Sequence, residues 1–231
     1  MVRGALIVAL VASHGAVFAA PSNEDVSTAV RHLADCYVRT EGGKVEEALT
    51  ADPKTMAFEK WSDGHNANCT LDVVKRKGAW PTLKGEALRY AVAESLFRKT
   101  YQDRHLDELS LVAPLGHEYG KYEFRYGQPA SKKEIEVWTQ QRQAGVYLSS
   151  LGECVVRAAP EDVRRTLSTQ SGTPEEAQSF AALRAPISAC VDETRTVKLD
   201  MLSLRGALAV NYIRLAAAPR LSSNEIAGAN K

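Results

Sequence analysis

Four cysteines, Cys36, Cys69, Cys154 and Cys190, carry the clearest chemical signal in the chain. None lies at the Cys-x-x-Cys spacing that a zinc site or a catalytic dithiol uses, so an even, widely spaced set reads as two disulfides of an oxidising compartment. Histidines come next. His65 in Asp63-Gly64-His65-Asn66, His105 three residues before Glu108, and His117 beside Glu118 each place an imidazole near a carboxylate. A hydrolytic or metal-dependent centre would lie there. Against it, no His-x-x-x-His occurs, residues 131–218 contain no histidine, and Gly-x-Ser-x-Gly is missing. Ser149-Ser150 falls inside an amphipathic helical pattern, where an exposed nucleophile is not expected. The paired acids Glu46-Glu47 and Glu175-Glu176 point in different directions on a helix and suit helix N-termini better than acid–base work. The expectation is a non-enzymatic protein with no assigned catalytic residue, no metal and no cofactor.

Binding chemistry has two sources. Arg89 and Arg205 stand at matching places in two similar segments, as do Arg98 and Arg214, and a guanidinium can grip a carboxylate or phosphate as a fork. Helical residues nine apart face opposite ways, so the two arginines of one segment cannot share a pocket. The competing role for Arg89 or Arg205 is an ion pair or carbonyl contact that locks the fold. The second source is the aromatic set Tyr119, Tyr122, Phe124 and Tyr126, whose rings with polar tips suit a protein or glycan partner, or else pack between the two halves. Lys75-Arg76-Lys77 beside Trp80 is a short basic run on a solvated loop.

The 231 residues carry 29 Lys+Arg against 28 Asp+Glu, with 45% hydrophobic content. That is enough apolar material for one ordinary domain or two small ones, and too balanced in charge for a nucleic-acid scaffold. Residues 1–19 have Arg3, an apolar run and small residues at Val17 and Ala19, the pattern of a secretory signal cleaved after Ala19. Cleavage would leave 28 basic and 28 acidic side chains and no transmembrane anchor. The protein is expected to be exported, periplasmic or secreted, with an envelope protein or glycan as its partner and an undefined oligomeric state.

An internal match organises the rest. His32-Leu33-Ala34-Asp35-Cys36-Tyr37-Val38-Arg39 aligns with Ser150-Leu151-Gly152-Glu153-Cys154-Val155-Val156-Arg157. Val45-Glu46-Glu47-Ala48-Leu49 aligns with Val163-Arg164-Arg165-Thr166-Leu167, and Leu88-Arg89-Tyr90-Ala91-Val92-Ala93 with Leu204-Arg205-Gly206-Ala207-Leu208-Ala209. Three ordered blocks around equivalent cysteines imply a duplicated unit. Pairing Cys36 with Cys69 and Cys154 with Cys190 gives each copy its own staple and the shortest loops, each stabilising by roughly 4 kcal/mol in the chain-entropy picture. A crossed arrangement, Cys36 with Cys190 and Cys69 with Cys154, also respects the pseudo-symmetry.

Both copies read as helical. Val26, Val30, Leu33 and Tyr37 recur on one helical face, as do Ala144, Leu148, Leu151 and Val155; Leu88, Ala91, Val92, Ser95 and Leu96 match Leu204, Ala207, Leu208, Asn211, Tyr212 and Leu215. Shorter helices are expected over 45–49, 53–61 and 174–185, the last capped by Thr173-Pro174-Glu175-Glu176. The expectation is an all-α protein: signal 1–19, helical repeat 20–101, an aromatic-rich linker 102–130 with an extended stretch at Tyr122, Phe124 and Tyr126, helical repeat 131–218, and a flexible tail 219–231.

On Cys154-Val155-Val156-Arg157, Thr173-Pro174-Glu175-Glu176-Ala177 and Leu204-Arg205-Gly206-Ala207-Leu208-Ala209, the chain resembles uncharacterised exported proteins of Gram-negative bacteria that carry one or two Cys…Cys…Leu-Arg-Gly-Ala-Leu-Ala modules. The resemblance implies export and a helical architecture and brings no catalytic residue with it. The reading is therefore an exported interaction module of the cell envelope. The alternatives are a hydrolytic or metal-dependent enzyme near His65, His105 and His117, or a carrier of small anionic ligands.

Overall fold

A helix buried on every side sits at the centre. In the computed structural model, which describes residues 23–63, 69–70, 85–120, 131–191 and 200–220, the run from Leu204 to Ala216 is buried without interruption. The helices are α1 (Asn23–Thr50), α2 (Ala57–Asp63), α3 (Gly85–Leu96), α4 (Lys132–Ala158), α5 (Pro160–Ser168), α6 (Pro174–Ala182), α7 (Arg184–Cys190) and α8 (Met201–Ala217). A π-helical turn, Phe97–Tyr101, continues α3. Among the described residues there is no strand, and no helix is long and apolar enough to cross a membrane.

Central placement explains the composition of α8. It packs against α3 and α4 on two sides and against α1 and α5 on others, so its residues read apolar all round instead of along one stripe. Close approach needs small residues. A Cβ on Gly206 would stand 2.1 Å from Cβ of Tyr90 on α3, and one on Gly152 of α4 would stand 2.7 Å from Nδ2 of Asn211. α1 closes the other side of α3, with Leu33, Tyr37, Leu88, Val92 and Leu96 buried in one continuous core.

Local signals set the helix ends. Ser131 and Glu134 form a reciprocal capping box on α4, and Thr173 caps α6 ahead of Pro174. The Asp200 carboxylate accepts the N–H groups of Leu202 and Ser203 at the start of α8.

Two disulfides staple the helices. Cys36 of α1 bonds Cys69, with Cα atoms 5.6 Å apart, and Cys154 of α4 bonds Cys190 at the end of α7, with Cα atoms 5.8 Å apart. The shortest loops are the ones closed.

Residues 45–49 belong to the helical stretch that follows a break at Glu41, where the backbone leaves helical geometry, so α1 is two helices joined across a kink, as the short expected helix implies. Several expectations are corrected. The expected helix over 53–61 is a 3₁₀ turn, Pro53–Thr55, followed by α2, and that over 174–185 breaks at Leu183 into α6 and α7. Ala144 was expected on the buried face of α4 but is exposed; Gly145 is buried instead, because the first turns of α4 extend past the neighbouring helices. The signal at 1–19, the His65 loop, Lys75-Arg76-Lys77, Trp80, the extended stretch at Tyr122, Phe124 and Tyr126, and the tail from 221 lie outside the described residues.

Arg205 holds these elements together. Its side chain is 1% exposed and every guanidinium nitrogen is engaged: Nε donates to Glu94 of α3 at 2.8 Å, Nη1 to Glu176 of α6 at 2.9 Å and to the Thr166 carbonyl, and Nη2 to the carbonyls of Leu167 and Thr169. All three carbonyls lie at the C-terminal end of α5, where that of Thr166 also accepts the Thr169 N–H and those of Leu167 and Thr169 have no further helical N–H to meet. Arg205→Leu is expected to destabilise the fold by about 3–5 kcal/mol, since two inward-facing carboxylates lose their cation. Arg165→Leu, which breaks only the exposed contact to Asp162, is expected to cost about 1 kcal/mol or less. Urea unfolding of the two variants provides the comparison.

Candidate functional site

Residues 102–120 have little secondary structure of their own, only the 3₁₀ turn Leu109–Leu111 and a few turn hydrogen bonds, so side chains must satisfy much of their backbone. The segment lies as a strap across α4 and α8. Arg157 of α4 donates to the carbonyls of Leu109 and Ala113, Arg214 of α8 to that of Gly116, and Arg164 of α5 to that of Gln102. Arg104 returns a bond to the Ala216 carbonyl, and the Tyr212 hydroxyl donates to the carbonyl of Arg104. Leu106 and Val112 anchor the strap in the core.

At the strap's C-terminal part a three-membered relay forms. Ser149 and Glu153 stand one helical turn apart on α4, and His117 bridges them, Nδ1 at 2.8 Å from Ser149 Oγ and Nε2 at 2.6 Å from Glu153 Oε2. Glu153 also accepts the Leu115 N–H and the Nε–H of Arg157. Burial disfavours its charge, but the hydrogen bonds from His117, Leu115 and Arg157 outweigh that, and its pKa falls below the ordinary 4.5. An ionised Glu153 takes the proton of Nε2. That leaves Nδ1 to accept from the Ser149 hydroxyl, the bonding pattern of a general base next to a nucleophile. The cavity that Ser149 lines with Arg89 and Asn211 is narrow, about 10 Å³, room for a single water at most.

Further along, Tyr119 turns its ring toward the N-terminal half of α4. The Arg142 guanidinium lies 4.2 Å from the centre of that ring and 5.2 Å from that of Trp138, and its Nη1 donates to Glu59 of α2 at 2.7 Å. The Tyr119 hydroxyl donates to Glu86 and receives a bond from Arg89; burial first and the Glu86 charge second hold it protonated, well above its ordinary pKa. This face opens as a groove of about 740 Å³ lined by Tyr119, Trp138, Arg142, Val146 and Tyr147 among others. Ile135, 42% exposed and on the same helical face as Thr139, Arg142 and Val146, continues the apolar surface toward the start of α4.

The sequence-predicted residues separate. Arg205 is the fully engaged clamp described above. Arg89 is buried between the rings of Phe58 and Tyr119, with Glu86 at 3.9 Å. Arg98 pairs with Asp35 of α1. The histidines do not pair with their sequence neighbours: His105 meets Glu161 of α5, His117 meets Glu153, and Glu118 meets Lys54. No group of three or more metal-ligating side chains forms among the described residues.

Sequence reasoning missed the relay and the Trp138–Arg142–Tyr119 stack. Their traces were present, as Ser149, Glu153 and Arg157 at four-residue steps on α4 and Trp138 four residues before Arg142, but the third member of each set comes from the strap. No protein-family model, curated protein or solved structure matches the chain.

The depressed pKa of Glu153 predicts an acid response. A carboxylate whose folded pKa lies below its unfolded value contributes stability in full above the unfolded value, and that contribution is lost as pH falls through the folded one. The midpoint of urea unfolding should therefore drop as pH falls below about 4.5. In Glu153→Gln the protein should be less stable at neutral pH and its acid slope shallower.

Proposed function

We propose that the protein is an exported, non-enzymatic interaction module of the cell envelope, built from two duplicated, disulfide-stapled helical units, and that it docks a partner protein through the groove along the N-terminal half of α4. The observation that carries this reading is the Trp138–Arg142–Tyr119 stack. Stacked rings around a guanidinium give a partner flat apolar area together with polar edges, the composition that dominates binding energy in protein interfaces. Arg142 is fixed in place by Glu59 before any partner arrives, which lowers the entropic cost of binding. The exposed Ile135, one turn before Trp138 and Thr139, extends the surface to a length that favours a protein over a single sugar ring. Two disulfides are consistent with an oxidising destination, and the ordered sequence match around them supports the duplication.

A photo-crosslinking side chain at Gln143, which lines the groove, is expected to give a discrete protein adduct in intact cells, weakened at least threefold by Trp138→Ala. No adduct, an adduct only with glycan, or an equal yield from position 165 would discard the reading.

A second reading, a serine hydrolase, is favoured by the Ser149–His117–Glu153 relay. Ser149 Oγ would attack an acyl carbon while His117 Nδ1 takes its proton, Glu153 would steady the imidazolium, and the proton would pass to the leaving group; water would then release the acyl-serine through the same base. With so little space beside Ser149, the strap would have to lift to admit the acyl group. This reading expects a fluorophosphonate probe to label the chain, with labelling abolished by Ser149→Ala and unchanged by Ser150→Ala. An unlabelled protein excludes it.

A further inference from the structure

Buried guanidinium groups in this fold come in two kinds. Arg205 has a carboxylate or carbonyl for every nitrogen, including Glu94 and Glu176. Arg214, two and a half turns further along the same helix, does not. Only 5% of it is exposed, no carboxylate lies within ion-pair distance among the described residues, and its Nε and Nη1 have no hydrogen-bond partner; Nη2 alone is held, by the Gly116 carbonyl at 2.8 Å. Burial, and then the like charge of Arg89, bring its pKa down to about 10, so it remains charged at neutral pH. A desolvated cation with two unpaired donors is costly, and none of the described residues pairs with it as a counter-ion.

Arg214 forms part of the wall of a groove of about 500 Å³, bounded by the end of α1, the strap over 112–116 and the last turn of α8. That volume falls in the range of small-molecule sites. Its remaining surface is mixed in an informative way. Val112, Leu115 and Ala217 give an apolar floor and side, Asp52 stands on the α1 side and repels additional negative charge, and Arg220 adds a second, exposed cation at the end of the chain's path along the groove. We infer that this groove is a binding site for a small monocarboxylate with an apolar body, its carboxylate displacing the Gly116 carbonyl to reach the Arg214 guanidinium, whose Nε and Nη1 are closed off from the surface in this structure, and its body against Val112, Leu115 and Ala217. A carboxylate matches the planar fork of a guanidinium. With Asp52 opposite, a singly charged head is better accommodated than a doubly charged phosphate. This site is separate from the α4 groove, and its test is independent of that reading.

The experiment is isothermal titration of the full oxidised chain with sodium octanoate, with sodium benzoate and with inorganic phosphate at equal ionic strength. Octanoate or benzoate is expected to bind at one site per chain and phosphate at least tenfold more weakly. Arg214→Gln should weaken the carboxylate at least tenfold. Because that change could disturb the strap, Ala217→Trp, at an exposed position on the groove wall, provides a second block and is also expected to cost at least tenfold. Arg98→Gln, on the opposite pairing with Asp35, should leave binding unchanged. Absence of saturable carboxylate binding, equal binding of phosphate, or full affinity in Ala217→Trp would overturn the inference.

Discussion

The fold depends on solving the burial of one positive charge. Arg205 lies on the helix most completely removed from water, where a guanidinium without partners is costly. Its partners come from three elements, α3 through Glu94, α6 through Glu176, and the frayed end of α5 through three carbonyls. Each partner has its own reason to be there. The α5 carbonyls need donors because the helix ends, and Glu176 also accepts the Gly172 N–H at the start of α6. The arginine therefore fixes the angle at which the short helices of the second half meet α3 of the first, which hydrophobic contact alone would leave loosely specified.

The same chemistry, spread over several side chains, orders the strap. An irregular segment laid on a protein surface has carbonyls with no ladder to join. Here Arg157, Arg164 and Arg214 reach out from three helices to hold four of them, while Glu153 takes an N–H. Polar stripes on helix faces thus position the residues that open onto the two grooves. The relay of Ser149, His117 and Glu153 is part of this fastening whatever further chemistry it performs.

The aligned segments of the two halves differ where they meet. Tyr90 and Gly206 occupy matching places in the sequence, and in the structure the tyrosine fills the space that a side chain on the glycine would take. Arg89 and Arg205 also match, yet one is enclosed by the rings of Phe58 and Tyr119 and the other by carboxylates and carbonyls. Packing α3 directly against α8 imposes this: two surfaces in face-to-face contact cannot both carry the bulky residue.

Helical periodicity, caps such as Thr173-Pro174, and the number and spacing of cysteines were enough to determine an all-α chain with two disulfides, because helix formation and short-range loop closure are governed by residues near in sequence. Even so, periodicity alone placed Ala144 inside, since it carries no record of which neighbours a helix face meets. The relay, the Trp138–Arg142–Tyr119 stack and the unpaired Arg214 were decided only by the tertiary structure. Each depends on residues from separate elements, and whether a charged side chain finds a partner is a property of what folds back against it, which no local pattern encodes.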